Sequence, residues 1–179
     1  MFEMTKEKLW VATPVIASIA MADQFTKSMI EKTMFLNQSL EIIPGFFNIV
    51  YVKNPGAAWG LFSDMASLRV PFLVSVSVIA VGVIFYLIGD SKGQAPVIAL
   101  SMICGGAIGN LIDRATLGEV TDFLDFYIGN YHWPAFNVAD SAITVGVALM
   151  IVFFYLEEKN ERAKAKSDAL SQSKDDGEA

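Results

Sequence analysis

Two aspartates, Asp122 and Asp140, are the residues of this chain best suited to chemistry. Asp140 stands near the head of a long apolar run, and a carboxylate at the rim of hydrocarbon is costly enough to count as a functional candidate. Its plainest structural role is local, with Asn137 as N-cap and Asp140 at the third helical position meeting free backbone N–H groups and the positive end of the helix dipole. Asp122 lies between Val120 and Phe123, in a segment that returns toward the apolar run just before Asp140. A loop that brings the two together makes a pair that cannot easily ionise twice. One pKa rises and the other falls, giving an acid and a base at the same pH. That pair can activate a water for hydrolysis, the ionised Asp taking its proton while the protonated one polarises a carbonyl. Neither a metal nor a covalent intermediate is required.

Further polar groups recur at helical spacing. Gly106, Asn110 and Arg114 are four apart and share one helical face, while Gly105 and Gly109 form a small-xxx-small pattern suited to helix packing. Asp23 and Lys27 form an i,i+4 pair whose bland role is helix stabilisation. Other chemistries compete for these residues. A proton or ion carrier would use Asp23, Asp122 and Asp140 as relay groups spread through membrane depth. A Ser-Lys protease would pair Lys27 with Ser18 or Ser141, and a metal-dependent phosphotransferase would cluster its acids around a cation. Cys104 is the only cysteine and His132 the only histidine, so disulfide frameworks and zinc motifs such as H-E-x-x-H are absent, and no metal or cofactor is expected.

The elements that carry these residues are apolar. Hydrophobic residues make up 54% of 179, and the mean hydropathy is +0.46, a surplus over what a soluble core of this size needs. Val70 to Ile88 carries no charge over nineteen residues, roughly 28 Å of helix against a hydrocarbon core of about 30 Å. The ranges 95–112 and 139–156 have similar length and character. Leu9 to Ala22 is shorter, but helix can continue past Asp23, Gln24 and Lys27 to Ile30, giving a first span over 9–30. The same run, with Lys6 and Lys8 before it and Ala20-Met21-Ala22 after it, also fits a cleavable secretory leader. The expected fold is therefore an all-α integral membrane protein of four transmembrane helices, with a small extracytoplasmic β-rich segment between helices 1 and 2. Residues 1–156 form the single domain.

Eight basic residues, from Lys6 and Lys8 through Lys92 to Lys174, fall on the side of the termini, which the positive-inside rule places in the cytoplasm. The net charge of -6 and its concentration in the tail and inter-span segments argue against nucleic-acid binding. The tail, 157–179, has mixed charge and few large apolar residues, and is expected to be a frayed helix end followed by disorder. On the opposite side, Phe47 to Val52 is β-branched and aromatic enough for a strand, broken by Asn54-Pro55-Gly56. Phe46, Phe47, Tyr51, Trp59 and Phe62 suit headgroup level, and the segment around Phe47 to Trp59 could act as a mobile cover. Asp113, Glu119, Asp122 and Asp125 share the other outer segment with Arg114, where a solvated loop could carry them at no cost.

Five stretches, in order, resemble the bacterial lipoprotein signal peptidases: Asp23-Gln-Phe-Thr-Lys27, Asn54-Pro-Gly-Ala-Ala-Trp-Gly60, Gly105-Gly-Ala-Ile-Gly-Asn-Leu-Ile-Asp-Arg114, Val120-Thr-Asp-Phe123 and Phe136-Asn-Val-Ala-Asp140. The resemblance covers roughly the first 156 residues. It implies an aspartyl endopeptidase of the bacterial inner membrane that cleaves prolipoproteins just before a diacylglyceryl-modified cysteine. Asp122 and Asp140 match the family's catalytic dyad. Asn54, Gly106, Asn110, Arg114, Asn137 and Ala139 match positions that shape the pocket or hold the substrate backbone, and Asp23 and Lys27 match a supporting polar pair. Membrane lipids and globomycin-type cyclic peptides are the further partners it implies.

Overall fold

The computed structural model describes residues 3–56 and 66–175. Four helices and four short strands follow in the order α1 (Lys6–Thr33), β1 (Ser39–Ile43), β2 (Phe47–Asn54), α2 (Ala66–Asp90), α3 (Gln94–Thr116), β3 (Val120–Ile128), β4 (Tyr131–His132) and α4 (Val138–Asp175). Among the described residues three helical stretches are long and apolar enough to cross a membrane: Leu68–Asp90, Gln94–Thr116 and Val138–Ala165. The first helix differs. Its 28 residues reach about 42 Å, more than a hydrocarbon core of about 30 Å, but it buries Asp23 and Lys27 and is not apolar enough to qualify on composition.

α3 is the central helix, packed against α1, α2 and α4. Small residues let it approach its neighbours. A Cβ added to Gly109 would lie 2.5 Å from Asp23 Oδ2 on α1, and one added to Gly106 would collide with the carbonyl of Ala139 on α4. Away from the strands the bundle is closed by Ala12, Ile88, Val97 and Leu100, with Ile16, Ile103 and Met150 packed against them. Ala12 places the stretch that resembled a leader within this core.

The strands form one antiparallel sheet in the order β1-β2-β3-β4. β1 and β2 lie in the β-rich segment expected between helices 1 and 2, β2 where the sequence marks a strand. Half the sheet comes from the segment between α3 and α4, which the pattern of acids had made look like a solvated loop; Val120–Ile128 instead pairs along β2. Its Phe, Leu, Tyr and Ile residues favour a pleated surface, and Asp122 and Asp125 are only 2% and 7% exposed. Gly118, at φ +78, ends α3 with its N–H donating to the carbonyl of Arg114, a left-handed cap that turns the chain into β3 within two residues. The register of β2 shifts between Ile49 and Val52, a bulge beside Asp122 of the kind that re-aims side chains.

α4 runs on to Asp175, 38 residues in all, so helix continues past Leu156 into the stretch expected to fray. Ala, Glu, Lys and Arg are strong helix formers, and Glu158 pairs with Arg162 one turn on at 2.5 Å. Among the aromatic residues read from the outer segment, Trp59 and Phe62 lie outside the described residues, as does the distal part of the expected cover.

Candidate active site

The polar end of the bundle is built around Asn137, which is fully buried. It caps α4 as the sequence pattern predicts: the Asp140 amide donates to Asn137 Oδ1 at 3.0 Å, and the Asn137 amide donates to Asp140 Oδ2 at 3.3 Å. Its Nδ2 points the other way, donating to Asp122 Oδ1 at 2.7 Å, with the Thr121 carbonyl and Asn110 Oδ1 each at 3.3 Å. The cap is thus also the link between the two aspartates. One buried residue holds the acid of β3 and the acid of α4 in the same site.

Each carboxylate has a second amide partner. Asn54, at the end of β2, donates from Nδ2 to Asp122 Oδ2 at 2.9 Å, while its Oδ1 accepts from the Gly56 amide at 2.9 Å and so fixes the turn that follows. Asn110, on α3, donates from Nδ2 to Asp140 Oδ1 at 2.8 Å. Burial pushes the Asp122 carboxyl up to about 6; the Asn54 hydrogen bond opposes this and the neighbouring Asp140 charge adds to it. A carboxyl poised near neutrality beside a second one suits proton transfer in either direction.

Behind the pair lies a buried ionic cluster. Lys27 Nζ is 2.8 Å from Asp23 Oδ2, 2.8 Å from Asp113 Oδ2 and 3.0 Å from Asn110 Oδ1, so its three protons have three acceptors. Asp23 Oδ1 accepts from the Ala139 amide at 2.9 Å, tying the start of α4 to α1. Ala139 is fully buried, and its carbonyl lies where a side chain at Gly106 would sit. Lys27 is therefore committed, and Ser141 is spent on the Asn137 carbonyl at 2.8 Å. Ser18 is exposed and about 13 Å along the helix from Lys27, so neither serine is arranged for a Ser-Lys mechanism.

Asp23, Lys27, Asn54, Asn110, Asn137, Ala139, Asp122 and Asp140 thus meet at one end of the bundle, with Gly106 at the α3–α4 crossing. Arg114 takes part in none of these hydrogen bonds. Its Nε is buried without a partner among the described residues. Among those residues no group of three or more His, Cys, Asp or Glu side chains is arranged to hold a metal ion. His132 lies apart, its Nδ1 2.9 Å from Asp125 Oδ1 and its ring stacked on Tyr127.

A family model described as signal peptidase (SPase) II matches residues 15–156. The chain belongs to the signal peptidase II family. It is 51% identical over 150 residues to the lipoprotein signal peptidase of Geobacter sulfurreducens, covering 82% of this chain and 92% of that one. The lipoprotein signal peptidase of Syntrophus aciditrophicus is 47% identical over 146 residues, covering 80% and 91%. A solved bacterial membrane enzyme shares the fold with a TM-score of 0.75 and 33% identity, covering 89% of this chain and 95% of its own. Of the two acids, Asp122 is buried and Asp140 half-buried.

Reading the sequence alone missed Asp113, Gln24 and Thr121 as parts of this site. Gln24 Nε2 donates to Asp113 Oδ1 at 2.7 Å, and Lys53 Nζ, Glu31 Oε1 and Thr121 Oγ1 close a three-membered ring. Gln24 and Asp113 do lie inside quoted family stretches, and Asp113 is three residues from Asn110, on the same helical side. That spacing was the available signal.

Proposed function

We propose that this protein cleaves the signal peptide from diacylglyceryl-modified prolipoproteins, immediately before the lipidated cysteine, with Asp122 and Asp140 as the catalytic pair. The observation that carries the reading is Asn137, whose single side chain bonds the Asp122 carboxylate and the Asp140 amide. In the reaction the ionised Asp takes a proton from water as its oxygen attacks the scissile carbonyl carbon, and the protonated Asp hydrogen-bonds the carbonyl oxygen. The tetrahedral intermediate collapses, the C–N bond breaks, and the cysteine nitrogen leaves with a proton from the pair. Gly106, Asn110, Arg114, Asn137, Ala139 and Asn54 shape the pocket and hold the substrate backbone, with Asp23 and Lys27 in support.

In this reading residues 1–156 form the membrane-embedded unit, α1 is the fourth span, both termini are cytoplasmic, and residues 157–179 lie on the cytoplasmic side of the inner membrane. The acids then sit at the extracytoplasmic rim, where a lipid-anchored substrate presents its cleavage site while its acyl chains stay in the bilayer. The exposed side chains of Phe46, Tyr131 and Trp133 support placing the sheet at headgroup level, with the segment around Phe47 to Trp59 as a mobile cover. A globomycin-type cyclic peptide would occupy the same cleft. The clustering of Asp23, Asp113, Asp122 and Asp140 at one end disfavours a relay through membrane depth.

The test is mass analysis of the products from a diacylglyceryl prolipoprotein incubated with the protein in detergent. A mature fragment beginning at the lipidated cysteine is expected, with the unlipidated precursor left uncut. Cleavage at another bond, or equal cleavage of both precursors, would rule the assignment out.

A further inference from the structure

Asp113 lies on the last turn of α3 and is 4% exposed. Its two oxygens reach two further elements. Oδ1 accepts from Gln24 Nε2 of α1 at 2.7 Å; Oδ2 accepts from Lys27 Nζ of α1 at 2.8 Å and from the Thr121 backbone N–H of β3 at 3.3 Å. A buried carboxylate of this kind is far more than a helix-end charge, because it joins donors from two other elements and half of a buried ion pair is costly to remove.

Both bonds from Oδ2 lead to the reacting acids. Thr121 precedes Asp122; its N–H is held by Asp113 and its carbonyl by Asn137, so the backbone entering Asp122 is fixed on both sides. Lys27, in turn, donates to Asn110 Oδ1. That donation turns the Asn110 amide so that its oxygen faces the ammonium and its nitrogen faces Asp140 Oδ1 at 2.8 Å. A reversed amide would bring a carbonyl oxygen against a carboxylate and N–H groups against an ammonium. Asp113 therefore bears on Asp122 through one covalent neighbour and on Asp140 through Lys27 and Asn110.

We infer that Asp113 is a positioning residue for both halves of the dyad, the point at which α1, α3 and β3 are referred to one another so that the acids of β3 and α4 meet. The inference rests on the catalytic reading above. It does not place Asp113 in contact with substrate. Its loss therefore slows the chemical step and leaves binding intact.

Asp113→Asn keeps the shape of the side chain and removes one of the two carboxylate charges that hold Lys27. In the full chain, assayed on diacylglyceryl prolipoprotein in detergent, kcat is expected to fall about 10- to 100-fold, the range for reacting groups displaced by about 1 Å, with KM within about 2-fold of wild type. A wild-type kcat, or a loss carried by KM, overturns the inference. Should Asp113→Asn not fold, Gln24→Met removes the bond at Oδ1, together with the longer donations of Gln24 Nε2 to the Gly109 carbonyl at 3.1 Å and Asp23 Oδ2 at 3.4 Å, and leaves both bonds at Oδ2 in place. It is expected to lower kcat about 3-fold, as for one hydrogen bond of modest worth, at unchanged KM, and an unaltered kcat again overturns the inference. Failure of the wild-type protein to cleave this substrate would instead count against the catalytic reading, so the two failures are distinguishable.

Discussion

The two ends of the same helices are packed by opposite rules. At one end α1, α2 and α3 bury Ala12, Ile88, Val97 and Leu100, residues with nothing to satisfy except shape. At the other, α1 and α3 bury Asp23, Lys27, Asn110 and Asp113, and almost every polar atom has a partner at hydrogen-bond distance. An apolar contact can slip by a fraction of an ångström at small cost, whereas a buried charge that loses its partner cannot. The apolar end therefore supplies tolerance and the polar end supplies geometry. A water-activating pair of acids needs the second, because both carboxyls must be held while their protonation changes.

That contrast can be broken most severely at the acids themselves. Asp122→Asn and Asp140→Asn should each lower kcat at least about 10³-fold, as expected of groups that act as one unit, without loss of fold. For Asp122→Asn a gain in stability at neutral pH is expected. The folded pKa of Asp122, about 6, lies above the ordinary carboxyl value of 3.8, so the folded state holds that proton more tightly and stability declines as pH rises between the two values. Denaturation of the Asp122→Asn variant and wild type at pH 7 checks the sign.

Next in size is Lys27→Met, which leaves Asp23 and Asp113 buried without their cation. About 3–5 kcal/mol of stability should be lost, the usual consequence of breaking a buried pair from one side, and cleavage should fail with it. Leu100→Ala, at the apolar end, should cost about 2–5 kcal/mol by opening a cavity, but protein that remains folded should cleave with a wild-type kcat. Equal loss of kcat in the Leu100→Ala and Lys27→Met variants, measured on folded protein, would erase the distinction between the two ends. The smallest effect belongs to Asn54→Ala. Removing a hydrogen bond that favours the ionised Asp122 should move the corresponding limb of the pH–rate profile upward by about one unit or less.

The sequence is most legible where a local rule applies. Asn137-Val-Ala-Asp140 announced a helix cap and is one, and Gly106 with Asn110 announced a face of α3 turned to the site. What was hidden depends on distant pairing. Val120–Ile128 could not be recognised as a partner of Phe47–Asn54 from either segment alone, since the chain between them holds two helices. Asp113 and Asp125 read as solvent charges for the same reason, their partners Lys27 and Asn48 being far away in sequence. Arg114 shows the converse, a residue placed by spacing on the site's face that joins none of its hydrogen bonds among the described residues. Past Leu156 the local rule is composition, and the Ala, Glu, Lys and Arg there favour the helix that α4 continues to Asp175.

The account turns on two carboxyl groups, both held by Asn137, of which Asp122 is poised near neutrality. Its most direct test is the pH dependence of kcat/KM for wild-type cleavage of diacylglyceryl prolipoprotein from acid through neutral to mildly alkaline pH. A profile with a limb near pH 6, set by the raised Asp122 carboxyl, is expected, and a rate that is flat across the whole range would contradict it.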